Sequence, residues 1–127
     1  MSVNEKKIKI TFKAHIELIN KVRLSLIKDN YGTRAKSKWV AEAIEDLLTV
    51  DSYGDLVKEE RPMGKLESNP EAIYITLKLR ILLDKAIEEC LKHDPFKQGM
   101  QSSIIRTAII QRLLDRRLPG KHSENGM

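Results

Sequence analysis

The sequence predicts a mostly α fold built on a short two-stranded antiparallel β-ribbon, and three observations lead there. Residues 7–50 and 72–115 align without a gap at a shift of 65, with twelve identities in 44 positions. Each copy opens on a segment of strict polar-apolar alternation, the period of a half-buried strand. Each then continues with apolar residues at three- and four-residue steps, the period of an amphipathic helix. Two copies are too few for a stacked solenoid, and a copy of this size is too small to bury a core alone. The copies are therefore expected to share one core in a pseudo-twofold domain.

The first strand is expected at Lys7 to Phe12, with Ile8, Ile10 and Phe12 inward and Lys7, Lys9 and Thr11 outward. Its counterpart is expected at Ala72 to Leu77, with Ile73, Ile75 and Leu77 inward and Ala72, Tyr74 and Thr76 outward. A lone six-residue strand is not stable, so antiparallel pairing of the two is the economical solution. Leu18, Ile19, Val22 and Leu26 then mark a first helix from about Ala14 to Lys28, echoed by Leu83, Ile87 and Leu91. Breaker-rich turns follow at Asp29–Lys36 and Asp94–Gln101, where Gly32, Pro95 and Gly99 oppose helix continuation.

Ser37 and Ser102 are expected to cap a second helix in each copy, since a serine oxygen accepts from the unpaired amides of a first turn. Trp39, Val40, Ala43, Ile44, Leu47 and Leu48 form its apolar stripe, which makes Trp39 a core residue rather than a stacking one. Ile104, Ile105, Ala108, Ile109 and Leu113 repeat the stripe, with Arg112 in the place of Leu47 and with Ile110 and Leu114 widening the face. The organisation expected is a first motif at 1–50, a polar linker at 51–70, a second motif at 71–115 and a flexible tail at 116–127.

Composition narrows the function. The chain carries 23 Lys and Arg against 18 Asp and Glu, a net charge of +5. Both repeats are basic and the connector is acidic, which makes a polyanion the first partner to consider. No apolar run approaches the length of a membrane span and the N-terminus lacks the apolar stretch of a secretory signal, so a cytoplasmic protein is expected. Cys90 is the only cysteine and aligns with Ser25, a packing position. His15, His93 and His122 share no ligand spacing, and no phosphate loop, nucleophile elbow or carboxylate pair is present. Neither an enzyme nor a cofactor or metal site is expected.

The order strand, helix, basic turn and serine-started helix, with SKWVAEAI and SSIIRTAI as the two helix openings, resembles the Arc/MetJ-type ribbon-helix-helix superfamily of DNA-binding proteins. The resemblance covers both copies, and in architecture the chain is similar to the tandem single-chain members found among the TraY-like relaxosome accessory proteins of conjugative plasmids. It implies sequence-specific binding of double-stranded DNA, with the ribbon in the major groove. The base-contacting positions it implies are Lys7, Lys9, Thr11, Ala72, Tyr74 and Thr76. The second helix of each motif would aim its N-terminus at the backbone, with Ser37, Lys38, Ser102 and Ser103 on phosphate and Lys13, Lys36 and Lys78 adding contacts. The turns are longer than is usual in the family and Ala72 has no polar side chain, so the two halves are not equivalent.

The process served, whether transcription regulation as a repressor, conjugation or plasmid maintenance, is left open at this point, as are side-by-side self-association on DNA and any protein partner. An antitoxin-type protein-interaction module is the alternative, to be recognised by a stoichiometric partner; a helical scaffold without a nucleic-acid role would show no retention on heparin.

Overall fold

A computed structural model of the chain describes residues 6–32, 34–60 and 68–117. Seven elements follow in order: β1 (Lys7–His15), α1 (Ile16–Lys28), α2 (Lys36–Leu48), α3 (Tyr53–Glu59), β2 (Ser68–Thr76), α4 (Leu77–His93) and α5 (Met100–Arg117). The protein is thus mostly helical, with one two-stranded antiparallel sheet. The expected tail at 116–127 is partly helix, since α5 runs to Arg117; its remainder lies outside the described residues.

The strands pair from Lys7 opposite Thr76 to His15 opposite Ser68. Both are longer than expected. In β1 the alternation continues through Lys13, Ala14 and His15, with Ile10, Phe12 and Ala14 buried. In β2 it extends backwards into the expected linker, through Ser68, Asn69 and Pro70. Pro70 has no amide to give, and it stands opposite Lys13, whose own amide points away from the partner strand towards a helix. The proline therefore costs no bond of the ladder.

The helices begin where side chains can serve their first turns. His15 Nδ1 accepts from the Glu17 amide at 3.1 Å to open α1, and Thr76 Oγ1 accepts from the Leu79 amide at 3.1 Å to open α4. These caps expose a departure from the 65-residue repeat. By element, Lys7 corresponds to Ser68 and His15 to Thr76, an offset of 61 residues. The stretch aligned with Phe12–His15 is wound into α4, which is 17 residues long against 13 for α1. The difference between the two shifts, 65 against 61, is four residues, close to one helical turn. Leu77, expected inward on the strand, is instead the first residue of α4 and 56% exposed. Leu77, Lys78 and Arg80 are good helix formers with no β-branched residue among them, and the Thr76 cap lets them wind.

The core lies between the inner face of the ribbon and the helices. Ile19, Val22 and Leu26 of α1, Trp39, Val40, Ala43, Ile44 and Leu47 of α2, and Ile104, Ile105, Ala108 and Ile109 of α5 are all buried. In α4 the buried set is Leu79, Leu83, Ala86 and Cys90; the expected Ile87 and Leu91 are half-buried. Ile110 and Leu114, expected to widen the face of α5, are exposed. Cys90 is a packing residue, and burial pushes its thiol pKa up, with Lys97 opposing and Glu89 adding to the shift.

The expected polar linker carries α3. Its Val57 is buried in the core, with Tyr53 and Leu56 packed against it. The turn between α1 and α2 is closed by Asn30 in the left-handed region, φ 63°, a conformation asparagine tolerates after a helix end. No helix among the described residues is long and apolar enough to cross a membrane.

Candidate nucleic-acid interface

The outer face of the ribbon is built by alternation alone. Lys7, Lys9, Thr11 and Lys13 project from β1, opposite Thr76, Tyr74, Ala72 and Pro70 of β2. All four β1 residues are exposed, and Tyr74 is 50% exposed. Among the described residues the side chains of Lys7, Lys9, Thr11, Lys13 and Tyr74 make no hydrogen bond or ion pair within the chain. This is a row of uncommitted polar groups on one face of a paired ribbon. Lys13, expected as a phosphate contact, belongs to this row: the alternation that signals it runs on past Phe12 through Ala14, a residue small enough to be overlooked as apolar.

Each long edge of the ribbon is closed by the start of a helix. The Tyr74 amide donates to Ser37 Oγ at 3.0 Å, and the Lys13 amide donates to Ser102 Oγ at 2.9 Å. Gln101 Nε2 donates to the Thr11 carbonyl at 2.7 Å, and Arg106 Nη1 to the Lys13 carbonyl at 2.8 Å. Four outward-facing backbone groups, three on β1 and one on β2, are thereby occupied rather than open to further pairing.

These bonds correct the expected roles of the serines. Neither Ser37 nor Ser102 caps its helix: α2 starts at Lys36 after Ala35, which provides no side-chain cap, and α5 starts at Met100. Both hydroxyl oxygens accept from a strand amide instead, each serine lying inside the first turn and not at the cap position. Ser103 leaves the candidate set altogether. It is fully buried, and its hydroxyl donates to Glu60 Oε1 at 2.5 Å.

Among the described residues Lys38 and Lys78 form no ion pair, whereas Lys36 does. Lys36 pairs with Glu71 at 2.8 Å, both partly buried, so its charge is answered within the fold. Glu71 takes an inward position on β2, next to Ala72 on the outer row. Lys38 is exposed in the first turn of α2, with its Nζ 5.7 Å from the centre of the Tyr31 ring. Lys78 is exposed in the first turn of α4. Thr76 keeps its place on the outer face, but its oxygen is used as the α4 cap.

Two polar clusters, neither expected, tie the elements together, the first holding α5 against the ribbon and the second holding α5 against α2. Glu60, just after α3, accepts from Ser103, from Arg106 Nε at 2.5 Å and from Arg106 Nη2 at 3.1 Å. Arg106 in turn reaches the Lys13 carbonyl, so connector, α5 and β1 meet at one guanidinium. On the other side Arg112 lies 4.7 Å from the Trp39 ring centre. It donates to the Trp39 carbonyl at 2.7 Å, to the Tyr31 hydroxyl at 2.7 Å and to Glu42 at 3.2 Å. A charged residue on an otherwise apolar stripe was the signal for Arg112; nothing local marks Glu60, whose partners lie more than forty residues away.

No group of three or more metal-ligating side chains forms among the described residues; His122 lies outside them. Comparison with known proteins finds no matching family model, no matching curated protein and no matching solved structure.

Proposed function

We propose that the protein binds double-stranded DNA by laying the outer face of its ribbon in the major groove, as two ribbon-helix-helix motifs fused in one chain around a pseudo-twofold axis. The observation that carries this reading is the row of exposed, uncommitted polar side chains on a ribbon whose edges are both closed by helices. A ribbon of this width fits a groove about 12 Å wide. Lysines offer donors to guanine O6 and N7, Thr11 offers a hydroxyl, and Ala72 and the Tyr74 ring offer apolar contact to a thymine methyl.

General affinity comes from the flanks. The start of α2 has no side-chain cap, so its first-turn amides and positive dipole end are available to a phosphate, with Lys38 beside them. Lys78 adds a second cation at the start of α4. Such contacts position the duplex without reading it. Regulation of transcription and a conjugation or maintenance role on a plasmid both use this same physical act.

Binding of random and selected duplexes across a salt series tests the proposal. Specific binding should weaken steeply with salt, and Lys38→Ala should weaken all duplexes alike while flattening that dependence. Lys9→Ala or Thr11→Ala should instead relax preference at one base position, at about 1–3 kcal/mol for each good contact. Equal loss on selected and random DNA for every ribbon variant would refute the assignment.

A further inference from the structure

We infer that the DNA site is non-palindromic and that the protein sits on it in one fixed orientation, an inference that rests on the DNA-binding reading above. In a symmetric ribbon, corresponding positions of the two strands carry the same side chain and favour an inverted repeat. Here the strands correspond at an offset of 61, which puts the centre of the ribbon at Thr11 opposite Ala72. Across that centre Lys9 corresponds to Pro70 and Lys13 to Tyr74. One row is cationic and the other carries no charge.

The chemistry of the two rows selects different bases. Ammonium groups on β1 donate to guanine O6 and N7, while a proline, a methyl group and an aromatic ring on β2 suit the thymine methyl. The flanks differ as well, the start of α2 lying along the β2 edge and the start of α5 along the β1 edge. The first turn of α2 brings the exposed Lys38, whereas the first turn of α5, Met100 to Ser103, has no basic residue, and its Gln101 and Ser102 are tied to β1. Turning the protein end for end would place lysines over the thymines and apolar groups over the guanines. The two orientations therefore differ in energy, and the duplex acquires a direction.

Selection of bound sequences from a random duplex pool, using the intact chain, tests this. The expected product is a single asymmetric motif with guanines confined to the side next to β1. Two palindromes are then built, each from one half of that motif, and each is expected to bind about tenfold or more weakly than the parent site. Lys9→Met should erase guanine preference in one half only. A selected inverted repeat, or a palindrome from either half that binds as tightly as the parent, would overturn the inference while leaving DNA binding intact. A pool with no enriched sequence would overturn the DNA reading itself, and this inference with it.

Discussion

Arg112 shows how one side chain can be decisive within an apolar stripe. Its repeat counterpart is Leu47, which is buried in the core, yet Arg112 is only 11% exposed in its side chain and is held by the Tyr31 hydroxyl, the Trp39 carbonyl and Glu42. Arg112→Leu would restore the repeat pattern while taking a second donor from the Trp39 carbonyl and the cation from the partly buried Tyr31–Glu42 pair. We expect a loss of about 2–3 kcal/mol in urea unfolding, because removing one partner of a buried network costs more than the network contributes. Arg112→Lys should lose about 1–2 kcal/mol, since an ammonium keeps the charge but not the planar fork. Cys90 gives a pH prediction. Burial raises the pKa of its thiol and of the Tyr53 phenol, the latter with further contributions from Cys90 and Glu89. The folded state thus holds its protons more tightly than the unfolded chain. Stability is full below the ordinary thiol range of about 8.5 and falls as pH rises through it towards the folded value. In pH-dependent melts Cys90→Ala should show a flatter alkaline limb than the parent.

At the scale of elements, the connector is more than a tether. α3 buries Val57 and delivers Glu60 to Ser103 and Arg106 at the start of α5. Glu60→Gln preserves shape but leaves Arg106 without its charge partner, and we expect a loss of about 1–3 kcal/mol. Hydrogen exchange should rise in the first turns of α5 and at Lys13 while α2 stays protected; uniform change across both helices would contradict a local clamp. Periodicity made the strands and the four longer helices legible: Ile10, Phe12, Ile73 and Ile75 alternate, and Trp39 to Ile44 and Ile104 to Ile109 recur at helical steps. Three features escaped it. α3 is too short and too polar to carry a period. The one-turn offset of α4 is invisible to an ungapped alignment, because strand and helix compete for the same residues and a single threonine cap decides between them. The serines were legible as residues of the helix starts, but not as partners of strand amides, since that choice depends on which backbone group lies within reach once the chain has closed.

On the scale of the whole molecule, both strands of the ribbon come from one chain, which makes the interface independent of concentration. The protein should sediment as a folded monomer, and its urea midpoint should not move between about 1 and 100 µM, unlike that of an obligate dimer whose stability is tied to protomer concentration. An obligatory dimer with the two copies in separate ribbons would contradict the arrangement. Among the proposed contacts, the outer row of β1 and its unlikeness to Ala72, Tyr74 and Thr76 were legible from alternation alone, whereas the place of Lys13 and Pro70 in the two rows emerged only with the register.

The register has a kinetic consequence. Every rung of the ribbon joins residues more than fifty positions apart in sequence, while each helix is closed by bonds within a few residues of itself. Closing so long a segment costs entropy before any contact repays it, and such pairings lower the rate at which a small domain folds. The helices should therefore acquire structure early and the ribbon late. Ile73→Val should speed unfolding and leave the folding rate almost unchanged, whereas Ala43→Gly should slow folding. The surface proposed to meet the duplex should then be the last part of the molecule to come into being.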